Sequence, residues 1–220
     1  MPSIPFSTPQ PRTPQTPTPD NLSLTLTTDL SSTSLHKTNT TLLNPQIAAH
    51  TTNLTIADPY RSNLGAGLTW GRDLFGSLDM SSDGVAKWKD VFKKLANCRS
   101  FEVRRDVVWD GPDHAHSTSD RRLLASDVVT MLLEFVIEER RRIESFGVVM
   151  RERAKLQGEG KGEGEVVLTG IHLAPLKRKG FDSIWASVKM SKLEFTVSDP
   201  AQSEFAYTLL AKARSLRLLR

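Results

Sequence analysis

Apolar residues recur along this chain in two alternating rhythms, one with the period of a helix and one with the period of a strand. In AKWKDVFKKLAN, Trp88, Val91, Phe92 and Leu95 fall at i, i+3, i+4 and i+7, which puts them on one helical face. Ser82 or Asp83 suits the start of that helix and Asn97 its end. In FDSIWASVKM, Phe181, Ile184, Trp185 and Val188 repeat the spacing. A third helix is expected in PAQSEFAYTLLAKA, where Asp199 then Pro200 form a cap and first turn, with a stripe of Ala206, Leu209, Leu210 and Ala213. The strongest is SDVVTMLLEFVIEERRR, capped by Ser126 or Asp127. It is apolar almost all round, so it is expected to be buried on more than one side. Arg140, Arg141 and Arg142 follow it where the helix dipole favours positive charge, and they read as a solvated helix end.

Between the helices a short strand pattern returns: apolar, two variable residues, Phe/Leu/Ile, one variable, apolar. It reads Cys98-Arg-Ser-Phe101-Glu-Val103, then Ile143-Glu-Ser-Phe146-Gly-Val148, then Leu168-Thr-Gly-Ile171-His-Leu173. Met190-Ser-Lys-Leu193-Glu-Phe195 and Ala213-Arg-Ser-Leu216-Arg-Leu218 continue it, and Thr51-Thr-Asn-Leu54-Thr-Ile56 is a weaker copy. The central residues lie 47, 45, 25, 22 and 23 apart. The later intervals match the ~20–29 residues of a leucine-rich repeat, and the earlier ones are about twice that. One short strand and one helix cannot bury an apolar face alone, so copies stack and share a core. The helices supply the crossovers that parallel strands require. The expected fold is therefore α/β: an irregular leucine-rich-repeat-like solenoid of helix–strand units with a parallel sheet, preceded by a disordered N-terminal tail. The alternative is an ordinary α/β or α+β domain whose strands share polarity.

Composition sets the boundaries. MPSIPFSTPQPRTPQTPTPD offers almost nothing to bury, and Thr/Ser-rich sequence continues beyond it. Residues 1–45 are thus expected to be a disordered Pro/Thr/Ser-rich tail, and 46–220 the leucine-rich-repeat-like domain. The chain stops at Arg220 on a repeat strand with no polar capping unit, which is what an array incomplete at its C-terminus shows. The net charge is +4, and residues 61–220 hold 27 basic against 22 acidic side chains. That surplus is too small to indicate nucleic acid by itself. Cys98 is the single cysteine, so no intrachain disulfide forms, and with no signal peptide the expectation is an intracellular protein, cytoplasmic or nuclear. VVTMLLEFVI, the longest apolar run, is half the length of a membrane span, so no membrane partner is expected.

Three segments carry a resemblance: KWKDVFKKLANCRSFEV, ASDVVTMLLEFVIEERRRIESFGVV and VVLTGIHLAPLKRKGFDSIWASVKMSKLEFTV. From about Asn53 to Arg220 the chain resembles the region C-terminal to the F-box in fungal (ascomycete) F-box proteins. Such proteins also show a helix ending in an L-x-N-C-R-S-F turn, a Ser-Asp-initiated apolar helix and Leu-rich strand units. The resemblance implies an irregular leucine-rich-repeat-like module for protein recognition, related to substrate recognition by ubiquitin ligases. No Leu-Pro-x-Glu-like segment opening an F-box is found in the Thr-rich N-terminus, so docking on the ligase adaptor is not implied.

Candidate chemistry is sparse. DGPDHAHSTSD offers Asp113, His114, His116 and Asp120, but beyond the two histidines no third ligand stands at a recognisable zinc spacing, and a polar loop is the better reading. GEGKGEG at 158–164 lacks the Gly-Lys-Ser/Thr ending of a phosphate loop and reads as a solvated insertion. Cys98 falls in a core-facing strand slot, a packing thiol. Trp88 and Trp185 sit in helix stripes as core. No cofactor, metal or catalytic constellation is expected. The variable strand positions are left to line one face, and Glu102, Arg104, His172, Lys192, Glu194 and Arg217 are its candidate partner-binding residues. Their mixed charge suits a protein partner better than a phosphate backbone. The expected function is a non-enzymatic protein–protein interaction module. The alternatives are a nucleic-acid-binding protein using its basic surface, or an enzyme with a dispersed site.

Overall fold

The computed structural model describes residues 23–58, 64–108, 123–153, 173–194 and 200–213. Five strands form one sheet in the order β1-β2-β3-β4-β5, every neighbouring pair parallel. They are β1 (Leu24–Thr28), β2 (Thr51–Asp58), β3 (Ser100–Val108), β4 (Ser145–Arg153) and β5 (Met190–Glu194). The connections carry α1 (Ser32–Thr41) and α2 (Pro45–His50), then α3 (Asp83–Lys94), α4 (Ala125–Glu138) and α5 (Phe181–Trp185), with a 3₁₀ turn at Ala174–Lys177. The last element is α6 (Pro200–Lys212). The fold is α/β with a parallel sheet, and spatial order follows sequence order throughout.

One hydrophobic cluster joins the sheet to the helices. Leu54, Ile56, Phe101, Val103, Phe146 and Val148 enter it from the strands; Trp88, Val91, Phe92, Leu132, Phe135, Phe181 and Trp185 enter it from α3, α4 and α5. Phe92 bridges strand and helix, its ring centroid 6.3 Å from Phe101 and 4.9 Å from Phe135. Phe146 meets Trp185 edge-on at 5.2 Å. Each such aromatic pair adds about 0.5–1.5 kcal/mol beyond its buried area. The indole N–H groups of the three tryptophans among the described residues are satisfied: Trp88 donates to Leu30 O at 2.9 Å, Trp185 to Leu209 O at 2.6 Å and Trp70 to Gly65 O at 2.7 Å. Trp88 and Trp185 are core residues, and α4 is buried along nearly its whole length, both as its sequence requires.

The strand copies at 51–56, 98–103 and 143–148 align in register. Leu54 pairs with Phe101 and Phe101 with Phe146; Ile56, Val103 and Val148 follow two residues on. The later copies differ. β5 pairs directly with β4, so the copy expected at 168–173 does not lie between them. Most of that copy, and residues 214–218 of the last one, fall outside the described residues. Phe146 pairs with Ser191, and Val148 with Leu193. The fourth unit is therefore Val188-x-x-Ser191-x-Leu193, two residues earlier than the sequence pattern places it. Backbone bonds from Arg99 N to Thr52 O, Glu144 N to Arg99 O and Lys189 N to Glu144 O recur at the starts of β3, β4 and β5. The interval is 45 residues again, not 22. A two-residue slip keeps every side chain on the same face, so alternation alone cannot detect it.

Three further expectations are corrected. β1 and α1 occupy sequence assigned to a 1–45 tail. Leu26 packs against the core and Thr28 is buried, while Ser31 caps α1 by accepting from Ser34 N at 3.1 Å. α5 stops at Trp185, because the chain must turn extended to bring Val188 into β5's approach. α6 buries Gln202, Phe205 and Leu209; the expected stripe through Ala206 and Leu210 is rotated toward the bulkier Phe205.

The helix ends use side chains in ways the local pattern hides. Asp127 is not the N-cap of α4 but its third residue, where it accepts from Leu124 N at 2.7 Å. It also receives both arms of Arg72, each at 2.6 Å. Arg141 does not cap its own helix. Its guanidinium donates to Phe92 O, Lys93 O and Leu95 O, capping α3 instead. Arg140 takes φ +49 in the left-handed region, with Arg140 N bonded to Ile137 O and Arg141 N to Val136 O. That pair of bonds closes α4 as a Schellman turn with arginine where glycine is usual.

Candidate functional site

Because one parity of strand residues enters the core, the other parity forms rows across the opposite face of the sheet. The first row runs Thr25, Asn53, Ser100, Ser145. Asn53 Nδ2 donates along it to Ser23 Oγ at 3.2 Å and Thr25 Oγ1 at 3.4 Å. The second runs Thr27, Thr55, Glu102, Gly147, Lys192, and the third Ala57, Arg104, Val149, Glu194. The candidates Glu102 and Lys192 are thus brought into one row, and Arg104 and Glu194 into the next. His172 and Arg217 lie outside the described residues.

The face is not a uniform polar surface. Gly147 sits between Glu102 and Lys192, and a Cβ added there would lie 3.3 Å from Glu102 Cγ. The stem of Glu102 therefore lies over the glycine, which is itself buried. Val149 is 0% exposed although it stands outside the main core cluster, between Arg104 and Glu194. Glu102 and Arg104 are half-buried and Lys192 is exposed. From β1 to β5 the rows change from hydroxyl and amide groups to charges flanking the buried Gly147 and Val149. Such a surface can hydrogen-bond and ion-pair with a polypeptide.

Cys98 lies on the other side, in the core at the slot of Ile143 and Thr51. Burial pushes its thiol up to about 12, opposed by its hydrogen bond to the Ser100 backbone and, less, by Arg141. A thiol of that kind is neither a nucleophile nor a ligand at neutral pH. Among the described residues no group of three or more His, Cys, Asp or Glu side chains is placed to hold a metal ion. His114, His116 and the 158–164 loop are outside those residues. No helix among the described residues is long and apolar enough to cross a membrane.

Sequence reasoning passed over one exposed element. Arg72 to Leu78 forms a closed turn whose tip, Leu74-Phe75, stands in solvent. Its signal was present as Asp-x-x-Gly with two large apolar residues inside, a turn with no polar reason for its centre.

No protein-family model matches the chain, and neither a curated protein nor a solved structure matches it. The likeness to the region after the F-box rests on its three sequence segments alone.

Proposed function

We propose that the protein is a non-enzymatic recognition module that binds a partner polypeptide across the sheet face carrying Glu102, Arg104, Lys192 and Glu194. The observation that carries this reading is the sheet itself. Five parallel strands stand in chain order, with matching slots filled by Leu54, Phe101 and Phe146. A stack of helix–strand units, irregular and leucine-rich-repeat-like, has this order, and in such stacks the sheet face away from the helices is a common binding surface. The resemblance to fungal F-box proteins gives the role a specific form, recognition of a substrate protein related to ubiquitin-ligase work. Docking on the ligase adaptor is not part of the proposal.

The test is affinity capture with the wild-type protein and with a Glu102→Arg/Lys192→Glu variant, after checking that both melt alike. A partner retained by the wild type and lost with the variant supports the reading. If every captured protein binds both equally, the sheet face is not the recognition surface and the proposal fails.

A further inference from the structure

The two ends of the α3–α4 layer differ in chemistry, and the difference is complementary. At the N-terminal ends of these helices stands the Arg72–Leu78 turn. Asp73 Oδ1 accepts from Phe75 N at 2.9 Å and Ser77 N at 2.8 Å, and Asp73 N donates to Ser77 O at 2.9 Å. Arg72 ties the turn to α4 through Asp127 and donates to Gly76 O at 3.3 Å. On this fixed frame Leu74 is 100% exposed and Phe75 91% exposed. Leu124, whose backbone N–H donates to the same Asp127 carboxylate, is also exposed. The carboxylates around the turn are Asp73, Asp79 and Asp83, of which Asp83 is paired with Lys87. Hydrogen bonds from Ser81 hold Asp79 below the usual carboxylate range.

At the C-terminal ends of the same helices the charge reverses. Lys93, Lys94, Arg140 and Arg142 are all exposed there, against Asp90 and Glu139. Arg141 holds them together by gripping the end of α3. Lys94 reaches Asn39 at 2.7 Å, and one helical turn beyond Asn39 stands Leu43, 77% exposed. At 1.5 Å per residue, the 12 and 14 residues of α3 and α4 separate the two ends by about 20 Å. The helix dipoles account for the signs of these charges. They do not account for two large apolar side chains displayed at full exposure on a hydrogen-bonded turn, an arrangement that marks a contact anchor.

We infer that the chain associates with further copies of itself head to tail: the acidic Leu74–Phe75 turn of one copy docks on the basic end of the next, around Leu43, Lys94, Arg140 and Arg142. The two surfaces are different, so the contact is heterologous and each complex keeps one free turn and one free basic end. Growth stays open unless the rotation between copies closes a ring; in either case it rises with concentration and weakens with salt. This inference stands apart from the sheet-face reading, which uses neither end.

The experiment is sedimentation or light scattering of the full chain from roughly 10⁻⁶ to 10⁻³ M at low and high salt. The wild-type mass is expected to climb from 24.5 kDa past that of a dimer, without a plateau for open growth or to a plateau above a dimer for a ring, and to fall back in high salt. Phe75→Ser removes the head, with Leu74→Ser as an independent second variant, and Arg140→Glu/Arg142→Glu removes the tail. Each alone is expected to stay monomeric, with wild-type circular dichroism. Mixed, a head-less and a tail-less variant are expected to stop at a one-to-one heterodimer through their remaining ends. A wild type that stays at 24.5 kDa throughout overturns the inference. So does a dimer plateau that both variants keep, or a mixture that stays monomeric.

Discussion

Ser191 occupies the slot filled by Phe146 in the neighbouring strand and by Phe101 and Leu54 in the two beyond. Its side chain is fully buried and its hydroxyl has no hydrogen-bond partner. A buried hydroxyl that has given up water without a replacement costs about 1–3 kcal/mol. Ser191→Ala removes that oxygen. The small void it leaves, at about 24 cal/mol per Å³, takes back only a few tenths of a kcal/mol. The net expectation is a gain of about 1 kcal/mol, or a rise in Tm of about 2–4 °C for a chain of this size. Urea denaturation followed by tryptophan fluorescence measures it as a higher midpoint at unchanged slope. Ser191→Thr, which keeps the hydroxyl, should show no such gain. A lower midpoint for Ser191→Ala would mean that the hydroxyl is bonded in the native protein, and the register that buries it beside Phe146 would then be wrong.

Other expectations follow from the helix ends and the buried thiol. Asp127→Ala leaves the Arg72 guanidinium without its bidentate partner and should cost about 3–5 kcal/mol; the Arg72→Met/Asp127→Ala double variant should lose less than the sum, measured by a double-mutant cycle. Arg141→Ala frees three carbonyls at the end of α3 and should cost about 1.5–3 kcal/mol, with Arg141→Lys recovering only part because an ammonium lacks the fork. Arg140→Gly relieves the left-handed backbone at φ +49 and should raise stability by about 1 kcal/mol in a thermal melt. Cys98, raised from 9.0 to about 12 by burial, should resist thiol reagents at pH 8 until the protein unfolds. The unfolded thiol ionises first, so the stability from keeping it neutral is whole below pH 9 and is lost between about 9 and 12. Cys98→Ala should remove that component, about 1.4 kcal/mol per pH unit, from alkaline denaturation curves.

Much of the fold was legible because it is local. The i, i+3, i+4, i+7 stripe of α3 is a property of one short window, and so are the continuous apolar run of α4 and the alternation in β2, β3 and β4. The aligned slots of Leu54, Phe101 and Phe146 followed from near-equal spacing. The candidate residues were legible only as a parity: Glu102, Arg104 and Lys192 had to face away from the core once Phe101, Val103 and Leu193 faced it. Their partners in a row, with Gly147 and Val149 between them, came from the sheet.

What the sequence could not hold was anything decided between distant segments. β1 is five residues of Leu and Thr, too short to declare itself; it is a strand because β2 pairs with it. The register of β5 was ambiguous by two residues because both choices bury the same face, and the bond from Lys189 to Glu144 settles it. Arg141 is indistinguishable from Arg140 and Arg142 in sequence, yet it alone reaches the end of α3, 46 residues away. Periodicity determined which faces of this chain are apolar. The tertiary structure decided which segments those faces meet, because hydrogen bonds, ion pairs and strand register join residues whose distance along the chain leaves no local trace.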